Sequence, residues 1–290
     1  MTKSEQHQAL AAAVHAARAA GKLMRQNLRA TKIVNLATPH DIKLELDVRC
    51  QKLIERLLHR AFPEVALLGE EGVSGSADAT ARWVVDPIDG TVNYAYGIPH
   101  AAVSIALQER TAGYQVPGVR SKKQLTHPPS PSFDAASHAS RITDYQTLVG
   151  VIYDPFQDEL WTAIRGEPAR CNGQVIRVSQ RKQMREAMVA IGFAKSEDNL
   201  RKSLPYFGRI ARRVRKVRVM GSAALSLAYV AMGRLDAYVE RRISLWDIAA
   251  GALIIECAGG QFWREPISGY HRYRMVASNG RLHDQLPPPR

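Results

Sequence analysis

The sequence predicts an α+β protein built from two α/β subdomains, which span residues 1–180 and 181–290. Apolar residues recur at alternating spacings of four and three over residues 5–28, which indicates an amphipathic first helix. Short apolar runs bounded by glycine, proline and polar turns follow this helix and indicate strands. From about residue 181 onward strands and helices alternate, which favours a second α/β unit.

Two helices and a series of short strands make up the predicted first subdomain. Ser4 is a suitable N-cap for the first helix, and a second helix is expected over residues 47–62. Asp47 is either the plain N-cap of that helix or a carboxylate directed at a site beside the helix start. Strands are predicted at residues 65–68, 83–86, 101–108, 148–153, 159–164 and 175–178.

Residues 111–146 contain four prolines, several serines and few large apolar side chains, which is typical of a mobile insertion. In the second subdomain, Gly221-Ser222 is expected to cap a helix, and Glu240 is expected to end a strand. The helices predicted there span residues 198–213, 223–232 and 247–258, and the strands span residues 187–191, 217–220, 235–239, 261–263 and 273–277.

The composition is that of a globular protein with an excess of basic residues. Apolar residues make up 46% of the 290, and no run of 18 apolar residues indicates a membrane span. The polar first residues do not predict a signal peptide, and three distant cysteines without zinc-binding spacing favour the reducing cytoplasm. The formal net charge of +13 is compatible with nucleic-acid binding, with attraction of small anionic substrates, or with solubility alone.

Two carboxylates follow the apolar run Trp83–Val85. Asp86 ends the run, Pro87 interrupts strand pairing, and Asp89 is followed directly by Gly90-Thr91. Carboxylates at the end of a buried strand are costly without a positive partner, and a hard divalent cation with oxygen ligands is the best such partner. The sequence therefore predicts a metal site at this strand end.

Further carboxylates stand in comparable positions. Glu70-Glu71, between Gly69 and Gly72, is either a solvated acidic turn or, if its strand neighbours the one before Asp86, a second part of the metal site. Asp247 begins an almost uncharged helix, which must be buried on most faces. Its carboxylate would cap the helix and still have capacity to bind a cation.

Three segments together resemble the inositol monophosphatase family of magnesium-dependent, lithium-sensitive sugar phosphatases. They are Gly69-Glu70-Glu71; Asp86-Pro87-Ile88-Asp89-Gly90-Thr91-Val92-Asn93-Tyr94; and Trp246-Asp247-Ile248-Ala249-Ala250-Gly251, continued by Glu256-Cys257-Ala258-Gly259-Gly260. The resemblance implies a layered αβαβα sandwich, Mg²⁺ as the cofactor, a small phosphate ester as the substrate and a homodimer.

The resemblance also implies a role for each matching residue. The implied metal ligands are Glu70, Asp86 and the carbonyl of Ile88 for the first ion, Asp86, Asp89 and Asp247 for the second, and Glu70 and Asp47 for a third, weaker ion. Thr91 and Glu70 would activate the attacking water at the metal-bridging Asp86. The implied substrate-binding residues are Asp89, Gly90, Thr91, Gly192 with the one or two residues after it, Glu240 and Asp247.

Two features leave alternatives open. Lys43-Leu44-Glu45-Leu46 departs from the family pattern, in which threonines are common just before the Asp47 position, and this weakens the case for a third ion. The metal motifs do not distinguish inositol monophosphate, the favoured substrate, from a nucleoside bisphosphate or another sugar or amino-alcohol phosphate. An RNA- or transcription-associated regulatory protein on the same scaffold is a further alternative. It is suggested by basic residues that can equally form a solvated face, namely Arg209, Arg212, Arg213, Arg215, Lys216, Arg218, Arg241 and Arg242.

Overall fold

The computed structural model describes residues 1–37, 42–76, 78–111, 145–193 and 197–289. The chain begins with helix α1 (Lys3–Asn27), a two-stranded ladder of β1 (Val34–Ala37) and β2 (Ile42–Leu44), and helix α2 (Glu45–Ala61). The face that α1 buries consists mainly of alanines, namely Ala9, Ala13, Ala16, Ala17 and Ala20. These small side chains let the helix lie close to the sheet beneath it.

The larger sheet has eight described strands. They are β3 (Ala66–Gly69), β4 (Gly72–Ser74), β5 (Ala81–Asp89), β6 (Ala102–Arg110), β7 (Tyr145–Asp154), β8 (Glu159–Ile164), β9 (Arg170–Cys171) and β10 (Gln174–Val175), and the short helix α3 (Thr91–Ala95) follows β5. Their spatial order is β10-β9-β8-β7-β6-β5-β3-β4. Because β3 and β5 are parallel neighbours, their carboxyl ends meet at one edge.

The smaller sheet has five described strands. They are β11 (Met188–Ile191), β12 (Lys216–Arg218), β13 (Ala237–Ser244), β14 (Gln261–Pro266) and β15 (Arg272–Ser278), in the spatial order β12-β11-β13-β15-β14. Three helices accompany it, namely α4 (Glu197–Ala211), α5 (Ala223–Ala231) and α6 (Leu245–Cys257).

Three hydrophobic clusters arrange these elements in five layers. One cluster joins α1 and α2 to the outer face of the larger sheet, and another joins α4 to the outer face of the smaller sheet. The third cluster places α5 and α6 between the two sheets. Gly150 on β7 permits this packing, because a Cβ there would lie 2.8 Å from the backbone oxygen of Ala250 on α6. The predicted αβαβα sandwich is therefore confirmed, whereas the division into subdomains near residue 180 stays a proposal.

Several sequence-based boundaries are wrong. Thr2, not Ser4, caps α1, because the Thr2 hydroxyl accepts the amide of Glu5 while the Glu5 carboxylate accepts the amide of Thr2. The strand expected over residues 175–178 stops at Val175. The Val178 amide bonds instead to the carbonyl of Ala258, directly after α6.

Two further predictions need correction at strand ends. Strand β13 does not end at Glu240 but continues to Ser244, because its pairing with β15 resumes after an irregularity between Glu240 and Ile243. The predicted insertion over residues 111–146 lies mostly outside the described residues, and at its far end Tyr145 already belongs to β7, where it pairs with Arg110. Among the described helices, none combines the length and apolar character needed to cross a membrane.

A candidate metal-dependent active site at the carboxyl end of β5

A bulge in β5 brings Asp86 and Asp89 to the same side of the sheet. Residues three apart on a regular strand point to opposite faces. Here the pairing with β6 shifts between Asp86, which faces Ser104, and Asp89, which faces Ala102. The two carboxylates and that of Asp247 consequently offer oxygens that all lie within 4.8 Å of one another.

The start of α6 supplies the third carboxylate of this group. Asp247 lies in the first turn, where its Oδ2 accepts the amide of Ser244 at 2.9 Å and completes a capping box. The rest of α6 is buried in the middle layer, which holds the start of the helix against β5. Ser244 is therefore the N-cap of α6, and Asp247, its third residue, accepts the N-cap amide beside the strand-end carboxylates.

Helix α5 also begins at the site, which the sequence reasoning did not foresee. Asp89 accepts hydrogen bonds from the Ser222 hydroxyl, from the Ala223 amide at 3.1 Å and from the Ala224 amide at 2.9 Å. The Ser222 oxygen in turn accepts the Leu225 amide at 3.2 Å, so Ser222 is the predicted N-cap of α5 and a partner of the site at once. The available signal was a serine directly after glycine at the start of an almost uncharged helix.

Glu70 lies beside the three aspartates but outside their tight group. It occupies the two-residue turn between β3 and β4, and its amide bonds to the Val85 carbonyl at 3.1 Å. The Asp247 charge adds to the rise in the pKa of Glu70, and the Glu70 charge adds to the rise in the pKa of Asp86. Glu71, the other residue of the turn, faces away from this group and pairs with Lys43 at 2.9 Å.

Asp47 is a helix-start residue, but it is not the N-cap. It is the third residue of α2, and its Oδ2 accepts the amide of the true cap, Leu44, at 2.7 Å. Asp47 lies near enough to Glu70 to raise the pKa of that carboxyl group. The structure therefore places Asp47 at the edge of the acidic region rather than within the group formed by Asp86, Asp89 and Asp247.

Burial raises the pKa of Glu70, Asp86, Asp89 and Asp247, and neighbouring negative charges add to the shift at the first three. Burial raises the pKa of Glu70 to about 8 and that of Asp89 to about 7, and the Asp247 charge adds to both shifts. Burial, followed by the charges of Glu70 and Asp89, raises the pKa of Asp86 well above its usual range. Burial also raises the pKa of Asp247, although the Ser244 amide opposes that shift.

The segment after Asp86 is organised by short internal hydrogen bonds. Asp86 Oδ1 accepts the Ile88 amide at 3.0 Å, and the Thr91 hydroxyl donates to the Ile88 carbonyl at 2.8 Å. Gly90 has a φ of 90°, which a residue with a Cβ rarely adopts. A Cβ at Gly90 would also lie 3.0 Å from the His100 carbonyl, so glycine is needed for both reasons.

Glu240 and Gly192 meet across the β11–β13 pair. The Tyr238 hydroxyl donates to Glu240, and the Gly192 amide bonds to the Val239 carbonyl at 3.0 Å. A Cβ at Gly192 would collide with the Glu240 carboxylate, so only glycine leaves room for that side chain. Burial raises the pKa of Glu240 to about 8, and the charges of Asp247 and Asp89 add to this shift, which places Glu240 beside the aspartates. Phe193 follows in the described chain, while the next residues, 194–196, lie outside it.

The donor set suits a hard divalent cation. Asp86, Asp89 and Asp247 offer only oxygen atoms, and none of the three takes part in an ion pair with a lysine or arginine among the described residues. Burial raises the pKa of Asp86 and Asp89 because it disfavours their charged forms, and a bound cation would favour those forms. Mg²⁺ prefers oxygen ligands of this kind, whereas zinc prefers nitrogen and sulfur.

Comparison with known proteins agrees with this geometry. A model of the inositol monophosphatase family matches residues 5–119 and 142–286. The chain belongs to the inositol monophosphatase family. This is a family of metal-dependent phosphatases, and the structure has an acidic group that could hold a metal ion.

Individual relatives carry two kinds of name. Nus factor SuhB of Pseudomonas aeruginosa is 36% identical over 279 residues, which cover 92% of this chain and 90% of that protein. Inositol-1-monophosphatase of Rhizobium meliloti is 35% identical over 238 residues, covering 81% and 75% of the two chains. The crystal structure of extragenic suppressor protein SuhB from Bartonella henselae superimposes with a TM-score of 0.78 at 30% identity, over 95% of each chain.

Proposed function

We propose that the protein hydrolyses small polyol phosphate monoesters with Mg²⁺, and that inositol monophosphate is its main substrate. The supporting observation is the buried, oxygen-only group of Asp86, Asp89 and Asp247, with Glu70 beside it; among the described residues, none of the three aspartates forms an ion pair with a lysine or arginine. Membership of the inositol monophosphatase family supports the same chemistry.

The metal ligands in this proposal are those of the family motifs. Two Mg²⁺ ions would neutralise charge on the phosphoryl oxygens, make a water nucleophilic and stabilise the leaving alkoxide. The proposed ligands are Glu70, Asp86 and the Ile88 carbonyl for one ion, and Asp86, Asp89 and Asp247 for the other. The Asp86 carboxylate would thus be shared, and Asp47 is reserved for a third, weaker ion.

The remaining residues of the site orient water and substrate. Thr91 holds its hydroxyl 2.8 Å from the Ile88 carbonyl, and with Glu70 it would orient a water and accept its proton. The amides of Gly90 and Thr91 would bind the phosphate. Glu240 would accept hydrogen bonds from substrate hydroxyls, with Gly192 leaving the space that its carboxylate occupies. Asp89 and Asp247 would border the same hydroxyls.

An assay panel tests the substrate assignment. Phosphate release is measured from inositol 1-phosphate, fructose 1,6-bisphosphate, an adenosine bisphosphate and histidinol phosphate, each with Mg²⁺ and with EDTA. We expect the highest kcat/KM for inositol 1-phosphate and no turnover in EDTA. Background activity on inositol 1-phosphate with activity on another ester would reject the substrate but keep the reaction class, whereas no metal-dependent release from any ester would reject both.

We infer a second candidate function, an RNA- or transcription-associated role, from the basic outer surface of α4, β12 and the residues between them. Arg209, Arg212, Arg213, Arg215, Lys216 and Arg218 are all exposed. None of them forms an ion pair within the described part of the chain, which leaves their charge available to phosphates. Relatives that carry the name Nus factor also support an RNA- or transcription-associated role. Retention of RNA that weakens steeply between about 50 and 200 mM salt would support this role, and absence of binding at low salt would reject it.

The homodimer implied by the family resemblance also stays a proposal. Size-exclusion chromatography with light scattering distinguishes a species of twice the 32.1 kDa chain mass from a monomer.

A further inference from the structure

The start of helix α6, which carries Asp247, is bound to the start of strand β15. Ser244 ends β13 and is the N-cap of α6, and it pairs with Arg272 in the antiparallel ladder of β13 and β15. The amide of Leu245, the first residue of α6, bonds to the His271 carbonyl at 3.0 Å. Two consecutive residues at the helix start are therefore held by two consecutive residues of the smaller sheet.

The Arg272 side chain makes a second connection to the same helix start. Its Nη1 donates to the Ser244 hydroxyl at 2.5 Å, and its guanidinium group lies over the Trp246 ring, 5.9 Å from the ring centroid. Ser244 is only 3% exposed and Trp246 only 8%, so water competes little for these contacts. Within the described parts of the chain, no carboxylate forms an ion pair with Arg272 that would draw the guanidinium group elsewhere.

Ser244 connects this arginine to Asp247. The Ser244 amide donates to Asp247 Oδ2 at 2.9 Å, and the Asp247 carboxylate lies within the group that it forms with Asp86 and Asp89. A shift of Ser244 would therefore turn the Asp247 carboxylate relative to the other two. Residues that hold metal ligands in this indirect way orient the ligand and tune its affinity for the ion.

We propose that Arg272 is a positioning residue, which fixes the Asp247 carboxylate for metal binding by holding the hydroxyl of Ser244. The proposal rests on the proposed function, because Asp247 must be a Mg²⁺ ligand. In this role Arg272 contacts neither the ion nor the substrate. Its loss should consequently weaken metal binding while leaving substrate binding intact once the metal site is filled.

Calorimetric titration of the full-length protein with Mg²⁺ tests the connection through Ser244. It is carried out on the wild type, on Arg272→Met, on Ser244→Ala and on the double variant. We expect each single variant to bind Mg²⁺ about tenfold more weakly than the wild type. The double variant should be no weaker than the single variants, because both substitutions remove the same contact.

Two further variants serve as controls. Arg272→Lys keeps a charged donor and should recover most of the Mg²⁺ affinity; it also provides a test if Arg272→Met does not fold. Arg274→Met removes an arginine from the same strand that bonds to Glu265 on β14 instead, and it should leave Mg²⁺ affinity within about twofold of the wild type.

Kinetics at saturating Mg²⁺ separate positioning from substrate contact. For the ester with the highest kcat/KM, we expect the KM of Arg272→Met to lie within about twofold of the wild-type value, and raised Mg²⁺ to restore most of kcat. A KM that stays raised at saturating Mg²⁺ would show that Arg272 contacts the substrate and would overturn the proposal.

Denaturant titration in EDTA separates positioning from a general contribution to stability. Lower stability of Arg272→Met with unchanged Mg²⁺ affinity would make the contact merely structural and would overturn the proposal. Additive losses of Mg²⁺ affinity in the double variant would also overturn it, because Arg272 would then act independently of Ser244. Absence of Mg²⁺ binding in the wild type would instead reject the proposed function on which the proposal rests.

Discussion

Three buried carboxylates lie close together in the site, namely those of Asp86, Asp89 and Asp247. Without a positive charge nearby, ionisation of all three is unfavourable. Their oxygens lie within 4.8 Å of one another, and burial raises the pKa of each group. Most buried carboxylates in proteins are paired with basic groups. The arrangement therefore disfavours the charged carboxylates in the metal-free protein and favours binding of a divalent cation.

Asp86→Asn and Asp247→Asn should each abolish turnover and stabilise the metal-free protein. An amide oxygen can still accept from Ile88 or Ser244, while the repulsion disappears. We expect at least about a thousandfold loss of kcat and about 1–3 kcal/mol of added stability in EDTA. Phosphate-release assays and chemical denaturation measure the two effects. Asp198→Asn, on the exposed part of α4, is the matched control, and near-wild-type turnover in either site variant would contradict the assignment.

Thr91→Ala should separate water activation from metal binding. The Thr91 hydroxyl contacts the Ile88 carbonyl but offers no carboxylate, so its loss should leave most metal affinity intact. We expect kcat to fall about a hundredfold, with Mg²⁺ affinity within about threefold of the wild type. Thr91→Ser keeps the hydroxyl and should retain most activity. Equal losses in kcat and in metal affinity would show that Thr91 acts mainly through the metal site.

At the scale of single elements, the site is built from the ends of strands and helices. The bulge in β5 aligns Asp86 with Asp89, and the first turns of α5 and α6 meet at these two residues and at Asp247. Helix amides and dipoles at such starts favour negative charge. The amides at these helix starts therefore hold the carboxylates in the site even though burial raises their pKa.

Ser222→Ala should destabilise α5 and the site together. The Ser222 hydroxyl accepts the Leu225 amide and donates to Asp89, so both contacts are lost. We expect a decrease of about 1–2 kcal/mol in the free energy of unfolding, measured by denaturant titration in EDTA. Ser222→Thr preserves the hydroxyl and serves as the control. Unchanged stability in Ser222→Ala would mean that the two contacts contribute little.

At the scale of the whole molecule, the acidic site connects the two sheets, because its residues come from both sheets and from the layer between them. Glu70 and Asp86 come from the larger sheet, Glu240 comes from the smaller sheet, and Asp247 starts the middle-layer helix between them. A change in charge at the site therefore acts on elements from all three of these layers. Stability of the fold and occupancy of the metal site should be coupled through pH.

Mg²⁺ should stabilise the protein more at pH 8 than at pH 5.5. Because the folded state raises the pKa of Glu70 from 4.5 to about 8 and that of Asp89 from 3.8 to about 7, it holds protons that the unfolded chain has released. Metal-free stability from these groups is thus full below about pH 4 and falls as the pH rises towards 8. Bound Mg²⁺ replaces those protons.

Calorimetric melting in Mg²⁺ and in EDTA across this pH range measures the difference. We expect the Mg²⁺-dependent gain to grow by about 2–4 kcal/mol between pH 5.5 and 8. Comparing Mg²⁺ with EDTA at each pH cancels the contribution that titrating groups outside the site make to stability. A gain that is independent of pH would show that the carboxylates are already ionised in the metal-free protein.

The sequence by itself predicted most of the helices and longer strands and the three aspartates, Asp86, Asp89 and Asp247, that the structure brings together. Helix periodicity, apolar strands ending in acids, and the motif around Asp86-Pro87-Ile88-Asp89 are local signals, because each depends on neighbours within a few residues. The predicted ends of helices and strands were wrong where the competing hydrogen-bond partner is distant in the sequence, or where two residues suit the same cap equally well. Thr2 competes with Ser4 for the same helix start, and Val178 lies outside the predicted strand because its amide bonds to the distant carbonyl of Ala258.

Only the tertiary structure decided which carboxylates meet and which cations stand beside them. Asp86 and Asp247 are 161 residues apart by number, and their approach depends on α6 packing between the two sheets. Ser222 reaches Asp89, and Lys43 selects Glu71 rather than Glu70, through the same packing. Contacts between distant segments depend on how layers fit in three dimensions, and no periodicity or local motif carries that information.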